Sequence, residues 1–162
     1  MTKAPPDLLA KMLARRDLSI AEARERLAAA GVDASAVEAT VAWGQECGYL
    51  DDARLTERLV ERELAKAPPP AAELIQAKLE GRGLDAALVA TAVRSGADAQ
   101  ALAARALSWV IAVRGRVAVR KLYARLVRVG HEPEVVTDWL AKAGLDPDPE
   151  DKVQVGDLRD DL

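Results

Sequence analysis

An all-α fold is predicted by three features of the sequence. Alanine makes up about a fifth of its 162 residues. Aromatic side chains are scarce, with three Trp, two Tyr and no Phe, so a core has to be assembled from Leu, Val, Ile and Ala. Those apolar residues recur at helical spacing in a series of short segments, and none alternates with polar residues as a half-buried strand requires. Alanine loses no side-chain entropy on entering a helix, and its small size lets neighbouring helices approach closely. A net charge of −3 with 50% hydrophobic residues is that of an ordinary folded chain, and the length allows one domain or a short array of helical repeats.

Nine helices follow from start and stop signals. The first is expected over 7–16 and the second from Ser19 to Gly31, with the Ser19 hydroxyl and Glu22 forming a capping box. Gly31 then supplies the residue that ends the helix. Ser35 and Glu38 repeat the box spacing and predict a third helix that reaches Cys47 and stops at Gly48. Asp51 and Asp52 place negative charge at the positive end of a fourth, which runs to Lys66. Pro68-Pro69-Pro70 breaks the chain, with Pro70 as first residue of a fifth helix ending at Gly81. The remaining four are expected over 85–94, 98–113, 116–129 and 132–143.

The helices are related by an internal repeat. Leu27, Gly31, Val32, Val37 and Val41 recur as Leu79, Gly83, Leu84, Val89 and Val93, and again as Leu126, Gly130, His131, Val136 and Leu140. Each copy is a helix ending in Gly, a tight turn, and a second helix whose last two pattern residues share a face. With one helix preceding each pair, the chain divides into three tandem three-helix repeats at 1–48, 49–96 and 97–145. Units of this size bury their apolar faces by stacking on a neighbour. From residue 146 the composition changes. The segment 146–162 has seven acidic residues against Lys152 and Arg159, a net of −5, which leaves +2 on residues 1–145 and reads as a flexible acidic tail.

One cysteine, Cys47, and one histidine, His131, allow neither an internal disulfide nor a Cys/His zinc set, so no metal or other cofactor is expected. Neither a Ser/His/Asp or Cys/His set nor a glycine-rich phosphate loop is present, and no catalytic residue is predicted. Asp51 and Asp52 read as a helix start and His131 as a packed structural residue. The three Trp are expected in the core or between repeats. No apolar run of signal-peptide type follows Met1, and the most apolar segment, 99–113, is interrupted by Arg105 and too short to span a bilayer. A cytoplasmic monomer that does not meet a membrane is the expectation.

The candidate binding residues are basic. Between Asp98 and Glu132 lie Arg105, Arg114, Arg116, Arg120, Lys121, Arg125 and Arg128, with no acid among them. On a helix from Arg116, Val119, Leu122, Tyr123 and Leu126 gather on one side and Lys121, Arg125 and Arg128 on the other. Such a stripe neutralises phosphates or docks on an acidic protein surface, or it is a solvated face with local pairing. Arg54, Arg58 and Arg62, spaced by four, form a second ladder, which Glu57 and Glu61 can equally hold in surface salt bridges. A helical DNA-binding protein and a helical-repeat scaffold for another protein both remain open on these residues.

Several segments resemble the RecX family of bacterial recombination regulators. They are Leu13-Ala14-Arg15-Arg16-Asp17-Leu18-Ser19 with Glu22 and Leu27, Gly31-Val32, Gly48-Tyr49-Leu50-Asp51-Asp52-Ala53-Arg54 with Arg62, and Leu79 with Gly83-Leu84-Asp85. The resemblance covers about residues 8–143, and Leu-Asp-Asp-x-Arg is its most specific element. It implies an elongated, curved array of three tandem three-helix repeats. It also implies a non-enzymatic regulator that binds the RecA filament on DNA, meets DNA weakly or through that filament, and limits filament extension, ATPase, strand exchange and coprotease activity in DNA repair and the SOS response. Arg114, Arg116, Arg120, Lys121, Arg125 and Arg128, with Arg54, Arg58 and Arg62 as a second set, are then the RecA or DNA contacts. The chain departs from the family at Ala67-Pro68-Pro69-Pro70-Ala71-Ala72, where a Gly-x-Gly-Pro segment followed by basic residues is usual, at Leu55, where an aromatic is common, and in its acidic tail.

Overall fold

The computed structural model describes residues 4–96 and 99–145, and the predicted acidic tail at 146–162 lies outside the described residues. Among the described residues there are nine α-helices and no strand. They are α1 (Pro5–Leu13), α2 (Ile20–Ala29), α3 (Ala34–Glu46), α4 (Asp52–Leu64), α5 (Ala72–Glu80), α6 (Ala86–Gly96), α7 (Ala99–Val113), α8 (Val119–Arg128) and α9 (Pro133–Lys142). By contact the chain forms two compact units, one within Met1–Glu61 and Gln76–Ala92, the other within Arg62–Ile75 and Val93–Leu162.

In the first unit α1, α2 and α3 pack on one another, and Leu9, Leu18, Ala23, Leu27, Val37, Val41 and Leu50 form their core. The capping box of α2 is present: the Glu22 N–H donates to Ser19 Oγ at 3.0 Å and the Ser19 N–H to Glu22 Oε2 at 3.0 Å. A second box at Ser35 and Glu38 is not. Asp33 caps α3 by accepting from the Ala36 N–H at 3.0 Å, and the Ser35 hydroxyl donates to the same carboxylate at 2.7 Å. The charged Asp side chain, two residues earlier at the N-cap position, outcompetes the hydroxyl for the free N–H groups. Glu38 is thereby released to take a forked contact from Arg24, at 2.9 Å from Nε and 3.1 Å from Nη2. Asp51 accepts from the Arg54 N–H and so caps α4, while Asp52 turns back to the Ile20 N–H at 2.9 Å.

The second unit packs α7 and α8 against α9 over Ala106, Val110, Leu122, Tyr123, Leu126, Val136, Trp139, Leu140 and Ala143. Pro70 does not begin α5, which starts at Ala72. The Ala71 N–H is instead donated to the Val129 carbonyl at 2.9 Å, which fixes the end of the proline segment against the end of α8.

The glycines of the repeat explain why the pattern has its spacing. Gly31, Gly83 and Gly130 have φ of 82°, 75° and 95°, a left-handed conformation that other residues adopt only with strain. At the first and third, the N–H one residue later reaches back to a helical carbonyl, Val32 to Leu27 and His131 to Leu126, both at 3.2 Å. Gly83 is constrained twice, because a Cβ there would collide with the Cβ of Ala21. The leucine preceding each glycine and the two residues that follow on the next helix are buried in all three copies.

Candidate functional site

The sequence pattern sets α8 with Leu122, Tyr123 and Leu126 buried toward α9 and Arg120, Lys121, Arg125 and Arg128 exposed. The helix begins at Val119 rather than at Arg116. Gly115, with φ of 77°, ends α7, and the Arg116 N–H closes that turn onto the Val113 carbonyl at 3.1 Å. Arg114 and Arg116 therefore lie in the turn between the helices, not on the α8 stripe, and the expected single basic face becomes a turn plus one helix face.

The cations of this region are not equivalent. Arg105 Nη2 donates to the Leu64 carbonyl, and Arg114 Nη1 to the Ala143 carbonyl at 3.4 Å. Arg125 Nη2 donates to the Ala67 carbonyl at 2.8 Å while its guanidinium lies over the Trp109 ring, 5.2 Å from the centroid. These three hold the fold together. Arg116, Arg120 and Lys121 are exposed, and their side chains make no hydrogen bond or ion pair among the described residues. Arg128 is exposed in the last turn of α8, where a cation complements the helix dipole.

The start of α8 breaks the usual rule of helix chemistry. Ala118 occupies the N-cap position, no side chain caps the helix, and no acid stands in its first turn. Arg120 and Lys121 stand there instead, next to the partial positive charge of the free N–H groups. Fixed positive charge at a positive helix end is locally unfavourable, and an anion supplied from elsewhere relieves it. This signal was present in the sequence, but placing the helix start at Arg116 hid it.

Around the proline segment the second unit is tightly organised. Prolines have no N–H to offer, so the carbonyls of 67–70 need donors from outside, and they find them in Arg125 and His131. His131 Nε2 lies 2.8 Å from the Pro69 carbonyl, and its ring meets Trp139 edge-on with centroids 4.8 Å apart. Burial pushes the imidazole below its ordinary value, against the opposing pull of the Pro69 bond and Glu73. His131 is thus the packed structural residue its position predicts. A cleft of about 340 Å³ opens beside it, lined by Leu102, Ala103, Val135 and Trp139 with Glu73 and Glu132. Among the described residues no three His, Cys, Asp or Glu side chains gather to hold a metal.

The second candidate set separates. Arg54 Nη2 donates to the Gly48 carbonyl at 2.7 Å, closing the turn after α3. Arg58 pairs with Asp17 at 2.9 Å rather than with a glutamate of its own helix. Both belong to the first unit, whereas Arg62, exposed and without a partner among the described residues, belongs to the second. Sequence reading also missed Arg82, whose Nε and Nη2 clamp Glu22 at 3.0 and 2.7 Å and whose Nη2 reaches the Asp17 carbonyl at 2.9 Å. Burial alone would raise the Glu22 carboxyl; the bonds from Arg82, the Ser19 N–H and Arg16 override it and lower it to about 2. Trp43, expected in the core or between repeats, is 36% exposed beside Tyr49, 5.4 Å between ring centroids.

Among the described residues, fold and site define an all-helical protein of repeated helix–glycine–helix pairs with a basic turn and helix face in its second unit. No family model matches the chain, and no curated protein is significantly similar to it. Among solved structures, the crystal structure of RecX from Lactobacillus salivarius is similar in fold, with a TM-score of 0.69 over 86% of this chain and 94% of that one at 11% identity. The likeness is one of fold over nearly the whole of both chains. No helix among the described residues is long and apolar enough to cross a membrane.

Proposed function

We propose that the protein is a RecX-like regulator of the RecA filament, a cytoplasmic, non-enzymatic monomer of three helical repeats at 1–48, 49–96 and 97–145. The observation that carries this reading is the fold likeness to RecX of Lactobacillus salivarius, which extends over 94% of that chain. The basic turn and helix of the second unit support it by giving the fold a surface suited to carboxylates and phosphates. Several such contacts made at once by a repeat protein on a repeating filament multiply individually weak affinities. Arg116, Arg120 and Lys121 lead the contact set because no side chain among the described residues competes for them; Arg114, Arg125 and Arg128, and Arg54, Arg58 and Arg62, follow.

The test is the DNA-dependent ATPase of the RecA from the same genome, titrated with this protein beside an unrelated acidic helical protein. Inhibition at substoichiometric amounts, weakened by Arg120→Glu with Lys121→Glu, is the expected result. An unchanged ATPase with the protein folded by circular dichroism overturns it. Direct duplex binding through α8 and α9 as a helix-turn-helix is disfavoured, since Glu132, Glu134 and Asp138 are exposed on the would-be recognition helix.

A further inference from the structure

The sequence carries one strongly acidic segment, residues 146–162, and the second unit carries a basic surface on which the side chains of Arg116, Arg120 and Lys121 have no partner among the described residues. We propose that segment 146–162 binds in cis to Arg116, Arg120 and Lys121 and competes there with the anionic partner of this face. The inference rests on the proposed function only in taking this face as the one an anionic partner meets.

Three observations carry it. The first is where the described chain ends. The Leu145 N–H is bonded to the Leu140 carbonyl at 2.9 Å, Leu145 packs against the core of the second unit, and the Ala143 carbonyl accepts from Arg114 at 3.4 Å. The chain therefore leaves α9 beside the turn that bears Arg114 and Arg116. The second is reach. Seventeen residues can reach at most about 56 Å by covalent geometry alone, and the ten residues of α8 are about 15 Å long. All the cations are within range at the millimolar effective concentration that a short tether gives.

The third is complementarity. Seven acids meet a turn and helix that contain none, at a helix start without a cap or an acidic first turn. Carboxylates placed there supply the negative charge that α8 lacks. Ile111 and Val117, exposed on either side of the turn, match the apolar Val153, Val155 and Leu158 of the segment.

Two experiments on the full chain test this. A water-soluble carbodiimide joins an amine to a carboxylate only at ion-pair distance, and the linked peptides are read by mass spectrometry. Lys121 is expected to link to acids of 146–162 within the monomer, severalfold more than Lys11 does, and to lose that preference at about 0.5 M NaCl, where screening shortens to a few ångströms. Equal linkage of Lys121 and Lys11, or linkage only in dimers, overturns the proposal. The second experiment measures anisotropy of a fluorescein-labelled 20-base-pair duplex. The variant D146N/D148N/E150Q/D151N/D157N/D160N/D161N is expected to bind about tenfold tighter than the natural chain, and the gain to vanish when R116Q, R120Q and K121Q are added to both. An unchanged affinity, or a gain that survives loss of the three cations and so reflects net charge alone, overturns it. Neither readout uses RecA, so failure here leaves the filament reading standing, and failure of the ATPase test leaves this contact standing.

Discussion

Removing Arg82 tests how the first unit is tied together across sixty residues of sequence. Its guanidinium holds both oxygens of Glu22 and the Asp17 carbonyl, with side-chain exposures of 18% for Arg82 and 14% for Glu22. Arg82→Met keeps the apolar stem and deletes the charge. Glu22 is then left with the Ser19 N–H at 3.0 Å and Arg16 at 2.9 Å, so it is weakened but not orphaned. The cost falls between that of an exposed pair and of a broken buried one, at about 2 kcal/mol. Linkage sets a ceiling: a carboxyl lowered from 4.5 to about 2 carries, for all its partners together, roughly 3 kcal/mol. For a chain of this size the loss corresponds to about 4–8 °C in Tm. Urea unfolding by circular dichroism of the natural chain, Arg82→Met, Glu22→Gln and the double variant gives the coupling, expected at about 1–2 kcal/mol at pH 7. Because the folded carboxyl is depressed, its contribution is complete above pH 4.5 and fades as pH falls toward 2. The gap between natural chain and Arg82→Met should therefore hold at pH 5 and close toward pH 2.5. A coupling under about 0.3 kcal/mol at pH 7, the size of non-interacting errors, refutes the reasoning.

Other substitutions report on single features. Gly130→Ala combines φ of 95° with a Cβ 3.0 Å from the Leu74 Cβ and 3.2 Å from the Ala71 Cβ, and is expected to cost about 2–3 kcal/mol. Gly31→Ala, with φ of 82° but open space around it, is expected to cost about 1 kcal/mol, so thermal melts of the two variants must rank in that order. His131, the only histidine, is held below its ordinary value by burial, so the unfolded chain takes the proton first. The natural chain is expected to lose stability as pH falls below about 6.5, whereas His131→Gln, which keeps a donor for Pro69, shows no such loss between pH 7 and 5.5 in chemical denaturation. Arg125→Ala removes the Ala67 bond and the cation over Trp109 and should destabilise by about 1–2 kcal/mol with a change in Trp fluorescence. Arg120→Ala, having neither contact, should leave the melt within about 0.5 kcal/mol.

Much of the fold is legible because local rules and the repeat agree. The positions Leu27, Leu79 and Leu126 and the glycines after them are readable from spacing alone, since a left-handed residue and a buried helical stripe each demand their own residue type. Misplacements arise where two local solutions compete. Asp33 and Ser35 both qualify as the cap of α3, and only the geometry of the preceding turn decides for Asp33. Pro70 is a good first helical residue in isolation, but the Ala71 N–H finds its acceptor on α8, a contact fifty-eight residues away that no local pattern encodes. Trp43 looks apolar in context, yet its face of α3 is left uncovered apart from Tyr49.

The candidate site was legible as composition and not as geometry. A run of cations without an acid is visible in the sequence, whereas the division of labour within it depends on tertiary partners. Arg105, Arg114 and Arg125 each donate to a backbone carbonyl of another segment, two of them on the chain just before and within the proline break, where prolines leave acceptors without local donors. Those guanidiniums replace missing backbone N–H groups and are therefore fixed by folding. Arg116, Arg120 and Lys121 have no such assignment. Two of the three also stand in the first turn of an uncapped helix, where folding alone favours an acid. A position that costs stability in the isolated fold is one that an anionic partner of the kind proposed above would relieve. On that ground α8's first turn, more than the length of the basic stripe, is where a binding partner should be sought.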